Sequence, residues 1–158
     1  MKLKEILQDA RLLMGIPSND RQNTRLLIKG ANNLFDGVEC ITVQTFEVTD
    51  GRITFDKFEH PPIAIKYASV RFAIHPGHIT CKNGKVAVTY AFHPHFKNAN
   101  QDVSFVLGLM SRNAFLYGVL SEYAFHLGLE RETKRFTERF LQLISNAKPR
   151  GQARRMPA

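Results

Sequence analysis

Tryptophan is absent from this sequence, and cysteine occurs only twice, as Cys40 and Cys81. Two cysteines without a repeated spacing form neither a disulfide framework nor the four-ligand pattern of a zinc knuckle. We therefore expect both to be buried free thiols, which suits a reducing cytoplasm. Residues 1–14 also lack a continuous apolar stretch followed by a small-residue cleavage site, so no signal peptide is expected.

Acidic residues are scarce relative to basic ones, because 14 Asp and Glu face 22 Lys and Arg and leave a formal net charge of +8. Four of the positive charges fall within residues 148–158, where no acid occurs. The remaining excess is spread over the body of the chain. A basic balance favours contact with nucleic acid or with an acidic protein surface, but it does not indicate a fold.

The length of 158 residues suits one domain, and helical spacing marks its first part. Apolar residues within 3–14 recur at helical intervals and predict an amphipathic helix that ends near Gly15. Residues 18–20 (Ser-Asn-Asp) supply cap candidates for a second helix. Gly37 is expected to close that helix.

From Val38 onward, β-branched residues and alternation replace the helical spacing. The expected strand segments are 38–48, 52–58, 63–74, 78–82 and 85–92. Dipeptides typical of tight turns separate them at Asp50-Gly51, Pro76-Gly77 and Asn83-Gly84. The pattern predicts a central antiparallel β-hairpin sheet of four to five strands.

The turn at Asp50-Gly51 carries the most detailed of these predictions. A two-residue hairpin loop at this position places Val48 opposite Ile53 and Phe46 opposite Phe55. Both pairs are apolar, so we expect this hairpin to present one consistent buried face.

Helical spacing resumes after the strands, and the predicted segment reaches Leu127 with Asp102 or Ser104 as its cap. Its apolar residues cover more than one face, so we expect burial on several sides, part of it by a neighbouring subunit. Arg112 and Glu122 lie within the segment and argue against a membrane span.

Gly128 separates that segment from a last predicted helix. The expected buried stripe of this helix is Phe136, Phe140, Leu143 and Ile144. Residues 148–158 contain two Pro, one Gly and no apolar periodicity, and they predict an extended basic tail. The expected fold class is therefore α+β: a single domain over residues 1–147 with two N-terminal helices, the central sheet and two C-terminal helices, followed by the tail.

Histidine is the residue type most open to a catalytic or metal-binding interpretation. Counting hairpins places His75, His78, His93 and His95 toward one end of the sheet, where imidazoles could bind zinc or copper. Exposed turn residues are the favoured interpretation, because no carboxylate or thiol is clearly placed to complete a site. Neither a metal nor another cofactor is therefore predicted. A metal-independent ribonuclease, with His78 and His93 as acid and base, is left as an alternative.

A basic aromatic sheet that binds nucleic acid is the broader alternative. Its candidate phosphate contacts are Lys57, Lys66, Arg71 and Lys85. The aromatic residues that could stack on bases are Phe55, Phe58, Tyr67, Phe72 and Tyr90. The favoured interpretation instead places these aromatic rings in the core, facing the helices.

The second half of the chain carries a distinctive order of elements. A strand ending in Val86–Tyr90 leads through Pro94 and Phe96 into a long apolar helix, then a Gly break and a helix ending at Ala147-Lys148. Over about residues 86–148 this order resembles the head-to-tail adaptor, or connector, proteins of tailed bacteriophages. The resemblance implies a helical bundle, a ring of copies beneath the portal, and extended termini that dock onto neighbouring rings.

Together these features predict a structural virion protein rather than an enzyme. It would be a head-tail connector, neck or tail component that assembles as a ring in the host cytoplasm, with no membrane contact. Hairpins and tail are expected to contact further copies and neighbouring virion proteins. The candidate partner-binding residues of the tail are Lys148, Arg150, Arg154, Arg155 and Met156.

Overall fold

The computed structural model describes the backbone of residues 1–155 and the side chains of residues 1–146. The chain divides into a helical unit, formed by Met1–Leu34 and His95–Ala158, and a β unit, formed by Phe35–Pro94. Helices at both ends and strands in the middle confirm the predicted α+β class. A single domain over residues 1–147 stays a prediction.

The described part of the helical unit contains four α-helices: α1 (Leu3–Met14), α2 (Arg21–Leu34), α3 (Arg112–His126) and α4 (Glu130–Arg155). Helix α1 ends at Gly15, whose φ of 66° lies in the left-handed region that favours glycine. Helix α2 begins after Asp20, whose Oδ1 accepts a hydrogen bond from the backbone N–H of Asn23 at 3.0 Å. Both predicted boundaries, near Gly15 and within residues 18–20, are confirmed.

Helix α3 starts at Arg112, so the prediction of a helix from Asp102 or Ser104 is wrong over its first turns. Residues Ser104–Gly108 form a 3₁₀ helix instead. The backbone N–H of Ser104, at the start of this helix, donates a hydrogen bond to Asp102 Oδ1 at 2.8 Å. Ser111 is the N-cap of α3. Its backbone is extended, and its side-chain oxygen accepts a hydrogen bond from the N–H of Ala114 at 3.1 Å.

Helix α3 is the centre of the helical unit, where it packs against α1, α2 and α4. Eight of its 15 residues are buried, which confirms the prediction that this helix is covered on several sides. The burial comes from the protein's own helices. The apolar excess of α3 therefore needs no neighbouring subunit to explain it.

Helix α4 follows the predicted stripe, with Phe136 buried and Phe140, Leu143 and Ile144 half-buried. The helix continues to Arg155, so helical backbone replaces the predicted extended backbone over residues 148–155. Extending an existing helix requires no new nucleation, which offsets part of the helix-breaking cost of Pro149 and Gly151, and residues 152–155 (Gln-Ala-Arg-Arg) are good helix formers.

The β unit contains six strands: β1 (Cys40–Val48), β2 (Arg52–Thr54), β3 (Pro62–Ala68), β4 (Phe72–His75), β5 (His78–Cys81) and β6 (Gly84–Phe92). They form two antiparallel three-stranded sheets, in the orders β1-β6-β3 and β2-β5-β4. The predicted antiparallel pairing is confirmed, and the strands divide more finely than the predicted four to five.

The two sheets keep one register. Val48 lies opposite Gly84 in the β1–β6 ladder and, four residues further on, Arg52 lies opposite Thr80 in the β2–β5 ladder. Strands β1 and β2 therefore run beside β6 and β5 as one long antiparallel ribbon, which is interrupted at residues 49–51. The third strand of each sheet lies on the other side of this ribbon, where β3 pairs with β6 and β4 pairs with β5.

Two of the three predicted hairpin turns join the sheets instead of closing hairpins. The Asn83 side-chain oxygen accepts the N–H of Gly51 at 2.7 Å, and the Gly51 carbonyl accepts the N–H of Cys81 at 2.9 Å. Asp50-Gly51 and Asn83-Gly84 thus lie side by side where the ribbon is interrupted. Pro76-Gly77 does close the predicted hairpin, between β4 and β5.

The residue pairing predicted for the first turn is wrong. Val48 and Phe46 lie opposite residues of β6, rather than opposite Ile53 and Phe55. Either partner strand offers an apolar face at this register, so alternation alone does not distinguish a local partner from a distant one.

Gly30 marks a close approach between α2 and α3. A Cβ atom at this position would lie 3.0 Å from the carbonyl oxygen of Val119 and 3.4 Å from the backbone nitrogen of Tyr123. Both are main-chain atoms of α3, which cannot rotate away as a side chain can. This packing explains why glycine occupies the interior of a helix, where it normally costs about 1 kcal/mol.

Replacing Gly30 by Val should lower the free energy of unfolding by about 1–3 kcal/mol, because the added methyl groups overpack the α2–α3 contact. Urea denaturation measures the change. The matched control is Gly108→Val, since a Cβ atom at Gly108 has no heavy-atom neighbour within 4 Å. Equal stability of the two variants would contradict this account of the contact.

Candidate functional site

The inner face of the β1-β6-β3 sheet is closed by residues 55–61. The ring of Phe58 lies 4.8 Å from the rings of both Phe46 and Tyr90. Phe58 is 7% exposed and Tyr90 is 0% exposed, so neither can stack on a nucleic-acid base. Both rings are buried, as the competing prediction expects, and Phe58 contacts Phe46 and Tyr90 within the β unit. The predicted contact of these rings with the helices stays a prediction. Tyr67 differs, because it is 64% exposed on β3.

A polar network crosses the same buried face. The Tyr90 hydroxyl donates to Gln44 Oε1 at 3.2 Å and accepts from the backbone N–H of His60 at 3.4 Å. The same Gln44 oxygen accepts the backbone N–H of Glu59 at 2.8 Å. Burial raises the pKa of the Tyr90 hydroxyl. These bonds fasten residues 55–61 to the sheet, and they give Tyr90 a structural role.

Carboxylates accompany three of the four predicted phosphate contacts. Lys66 Nζ lies 3.7 Å from Glu39 Oε1. Lys85 lies opposite Glu47 in the β1–β6 ladder, and Lys57 lines a cleft that Glu47 also lines. Arg71, in the connection between β3 and β4, is exposed. The sheet therefore presents mixed charges at these positions rather than a basic track.

The net charge is divided unequally between the two units. The β unit holds six of the 22 Lys and Arg residues and six of the 14 Asp and Glu residues, so its formal charge is zero. The helical unit holds the other 16 basic and eight acidic residues and carries the entire charge of +8. Electrostatic attraction for a polyanion therefore originates in the helices.

The predicted gathering of four histidines at one end of the sheet is wrong. His78 begins β5 and His93 follows the end of β6, so they lie at opposite ends of the ribbon. The rings of His75 and His78 stack at 4.8 Å, whereas His93 Nδ1 lies 3.0 Å from the carbonyl of Val38. His95 belongs to the helical unit. Within the described residues, no three His, Cys, Asp or Glu side chains are grouped to hold a metal.

The two free cysteines are poor nucleophiles at neutral pH. Burial raises the pKa of the Cys40 thiol to about 11, and it also raises the pKa of the Cys81 thiol. Both therefore stay protonated, and the thiolate is the reactive form. Cys40 is buried as predicted, while Cys81 is half-buried.

The outer face of the β1-β6-β3 sheet carries large exposed apolar side chains. Ile41 and Val43 on β1 are each 61% exposed. Val43 pairs with Thr89, which also pairs with Tyr67 on β3, so the three residues form one row across the sheet. A row of exposed apolar side chains on one sheet face is typical of a protein–protein contact.

The two edges of this sheet differ in their protection against further pairing. Strand β3 contains Pro62 and Lys66, and its ladder with β6 shifts register twice. Strand β1 pairs with β6 over nine residues without a shift, and Glu47 is its single charged residue. Proline, lysine and bulges are the devices that prevent edge-to-edge association, so β3 is a guarded edge and β1 is an open one.

A cationic cleft lies in the helical unit, where the end of α1 meets the start of α2. It has a volume of about 290 Å³ and is lined by Arg11, Ser18, Arg21, Thr24 and Arg25. Sequence reasoning missed it, although the arginines at positions 21 and 25 are one helical turn apart and could have been seen as a pair.

The predicted tail contacts are not tested by the structure. The side chains of Lys148, Arg150, Arg154 and Arg155, and all of Met156, lie outside the described residues. Within the described part of the chain, no helix has the length and apolar character needed to cross a membrane.

A scan against protein-family models found no match, and a search of curated proteins found none either.

His60 should make folding stability depend on pH. Its ring stacks on Phe92 at 4.0 Å, and burial lowers its pKa from 6.5 against the smaller opposing effect of Glu59. The folded protein then binds fewer protons than the unfolded chain, so the contribution is complete above pH 6.5 and declines as the pH falls below it. In the His60→Phe variant, the urea concentration at the unfolding midpoint should fall less steeply than in the wild type as the pH is lowered from about 7.5 to 5.5.

The control for this experiment is His126→Gln at the exposed end of α3. That variant also lacks one histidine, so the two variants are compared at the same histidine content. If His60→Phe loses stability as steeply as the wild type over the same range, burial of the imidazole is not the cause.

Proposed function

We propose that this protein is a structural subunit that assembles with further copies of itself through the open edge of strand β1. The observation that carries this proposal is the contrast between the two edges of the β1-β6-β3 sheet. Strand β3 carries the features that block pairing, whereas β1 offers nine residues in unbroken register. A second copy can add its own strand there and place its side chains beside Ile41 and Val43.

Charge favours the β unit as the surface for self-association. Two copies that meet through the β unit bring together two surfaces of zero net charge, whereas two helical units would each contribute +8. Repulsion between like charges opposes the second arrangement, and it does so most strongly at low salt. Self-association through the β units is therefore favoured over self-association through the helical units.

The resemblance to connector proteins supplies the setting. Packing of α1, α2 and α4 around α3 supports the helical bundle that the resemblance implies. We propose accordingly a non-enzymatic role in the neck or tail of a tailed-phage virion, with assembly in the host cytoplasm. The ribonuclease alternative loses support, because its acid–base pair, His78 and His93, lies at opposite ends of the ribbon.

Val43→Lys should weaken self-association by about tenfold or more, because a lysine at the contact must be desolvated without a partner. Sedimentation velocity across a concentration series measures the change. Val43 is 61% exposed, so the subunit itself should fold as before, which circular dichroism and urea denaturation verify.

The matched control is Ile63→Lys on strand β3, where the replaced side chain is 49% exposed on the guarded edge of the same sheet. This variant should assemble like the wild type. A wild-type protein that stays monomeric at every concentration would refute the proposal. Equal weakening by both variants would place the contact elsewhere on the sheet.

A further inference from the structure

The cleft between α1 and α2 is lined by three arginines, one serine and one threonine, without an acidic residue among them. Other clefts differ. One of about 540 Å³ beside Phe125 combines Lys134 with Glu130 and Glu138, and the cleft at Lys57 combines cations with Glu47 and Asp50. Three arginines around one cleft without an acidic residue indicate a site for an anion.

The charges of this cleft are not used within the fold. No ion pair is formed by Arg21 or Arg25 within the described residues, and Arg11 contacts the hydroxyl of Thr24 at 3.3 Å. The nearby carboxylate of Asp20 is engaged by Asn23, whose side-chain nitrogen lies 2.6 Å from Asp20 Oδ2. Hydrogen bonds from Asn23 lower the pKa of Asp20, so that carboxylate serves as the helix cap.

The cationic surface extends beyond the cleft along α2. Arg21, Arg25 and Lys29 are spaced four residues apart on this helix, and all three are exposed. Residues at this spacing share a helix face at steps of about 6 Å, so the three cations form a line about 12 Å long. Like charges at this spacing repel one another, which is a cost to the free protein. A line of cations suits a chain of phosphates better than a single small anion.

We propose that the cationic cleft, together with the row of Arg21, Arg25 and Lys29 on α2, binds the phosphodiester backbone of a nucleic acid. Guanidinium groups recognise phosphate oxygens through paired N–H donors, and the exposed hydroxyl of Ser18 adds a further donor. The Thr24 hydroxyl donates to the Asp20 carbonyl at 2.8 Å and instead helps to position Arg11. The contact reads the backbone and not the bases, so it is independent of sequence. This site is separate from the β1 edge and does not depend on the proposed assembly.

The test is a titration of a fluorescein-labelled DNA duplex, followed by anisotropy, at salt concentrations from about 50 to 200 mM. The variant Arg21→Gln/Arg25→Gln/Lys29→Gln should bind at least about tenfold more weakly at the lowest salt. Its slope of log affinity against log salt should fall by about one for each phosphate contact removed.

The matched control removes three other exposed cations of the helical unit, as Lys4→Gln/Arg131→Gln/Lys134→Gln. It has the same net charge as the test variant and should keep the wild-type salt slope. Thermal unfolding of the test variant should match or exceed that of the wild type, because like-charge repulsion along α2 is relieved. Its oligomeric state should be unchanged.

Three results would overturn the proposal. The first is no binding of the duplex by wild-type protein at the lowest salt. The second is an equal loss of affinity and slope in the test and control variants, which would mean that net charge alone attracts DNA. The third is saturable binding of inorganic phosphate to the cleft without any effect of the test variant on the duplex, which would mean a small-anion site.

Discussion

Strands β1 and β6 pair over nine residues although more than thirty residues separate them in the chain, and the β unit is organised by this pairing. It brings Asp50-Gly51 and Asn83-Gly84 side by side, and the Asn83 side chain bonds to the backbone of Gly51. Strands β2 and β5 then continue the same register beyond the interruption. Because β6 is the central strand, the covering segment 55–61 also depends on it through the network around Tyr90.

How much could be predicted from the sequence depends on whether a signal is local. The end of α1 and the start of α2 were predictable, because Gly15 and Asp20 act within one helical turn. The partner of β1 was not, because two strands offered equally apolar faces and the turn dipeptide favoured the nearer one. A similar error affected the histidines. A hairpin at Asn83-Gly84 would place His93 at the same end of the sheet as His78, whereas β6 in fact continues away from β5 along the ribbon. The cationic cleft was missed because its arginines come from two helices.

The distribution of charge separates two kinds of surface. The β unit has zero formal charge, an open strand edge and exposed apolar residues, and these properties suit contact with an identical partner. The helical unit carries all of the net positive charge, and α2 presents a row of cations that form no ion pair with any side chain of residues 1–146. A subunit built in this way can associate through one unit while it holds a polyanion with the other, since neither contact uses the residues of the other.

Hydrogen–deuterium exchange tests this separation of surfaces most directly. The protein would be compared at a low concentration, at a high concentration, and at the low concentration with duplex DNA. The account predicts that raising the concentration slows exchange in residues 40–48, and that DNA slows exchange around Arg11 and along residues 18–29. Protection of the helices by self-association, or of β1 by DNA, would contradict it.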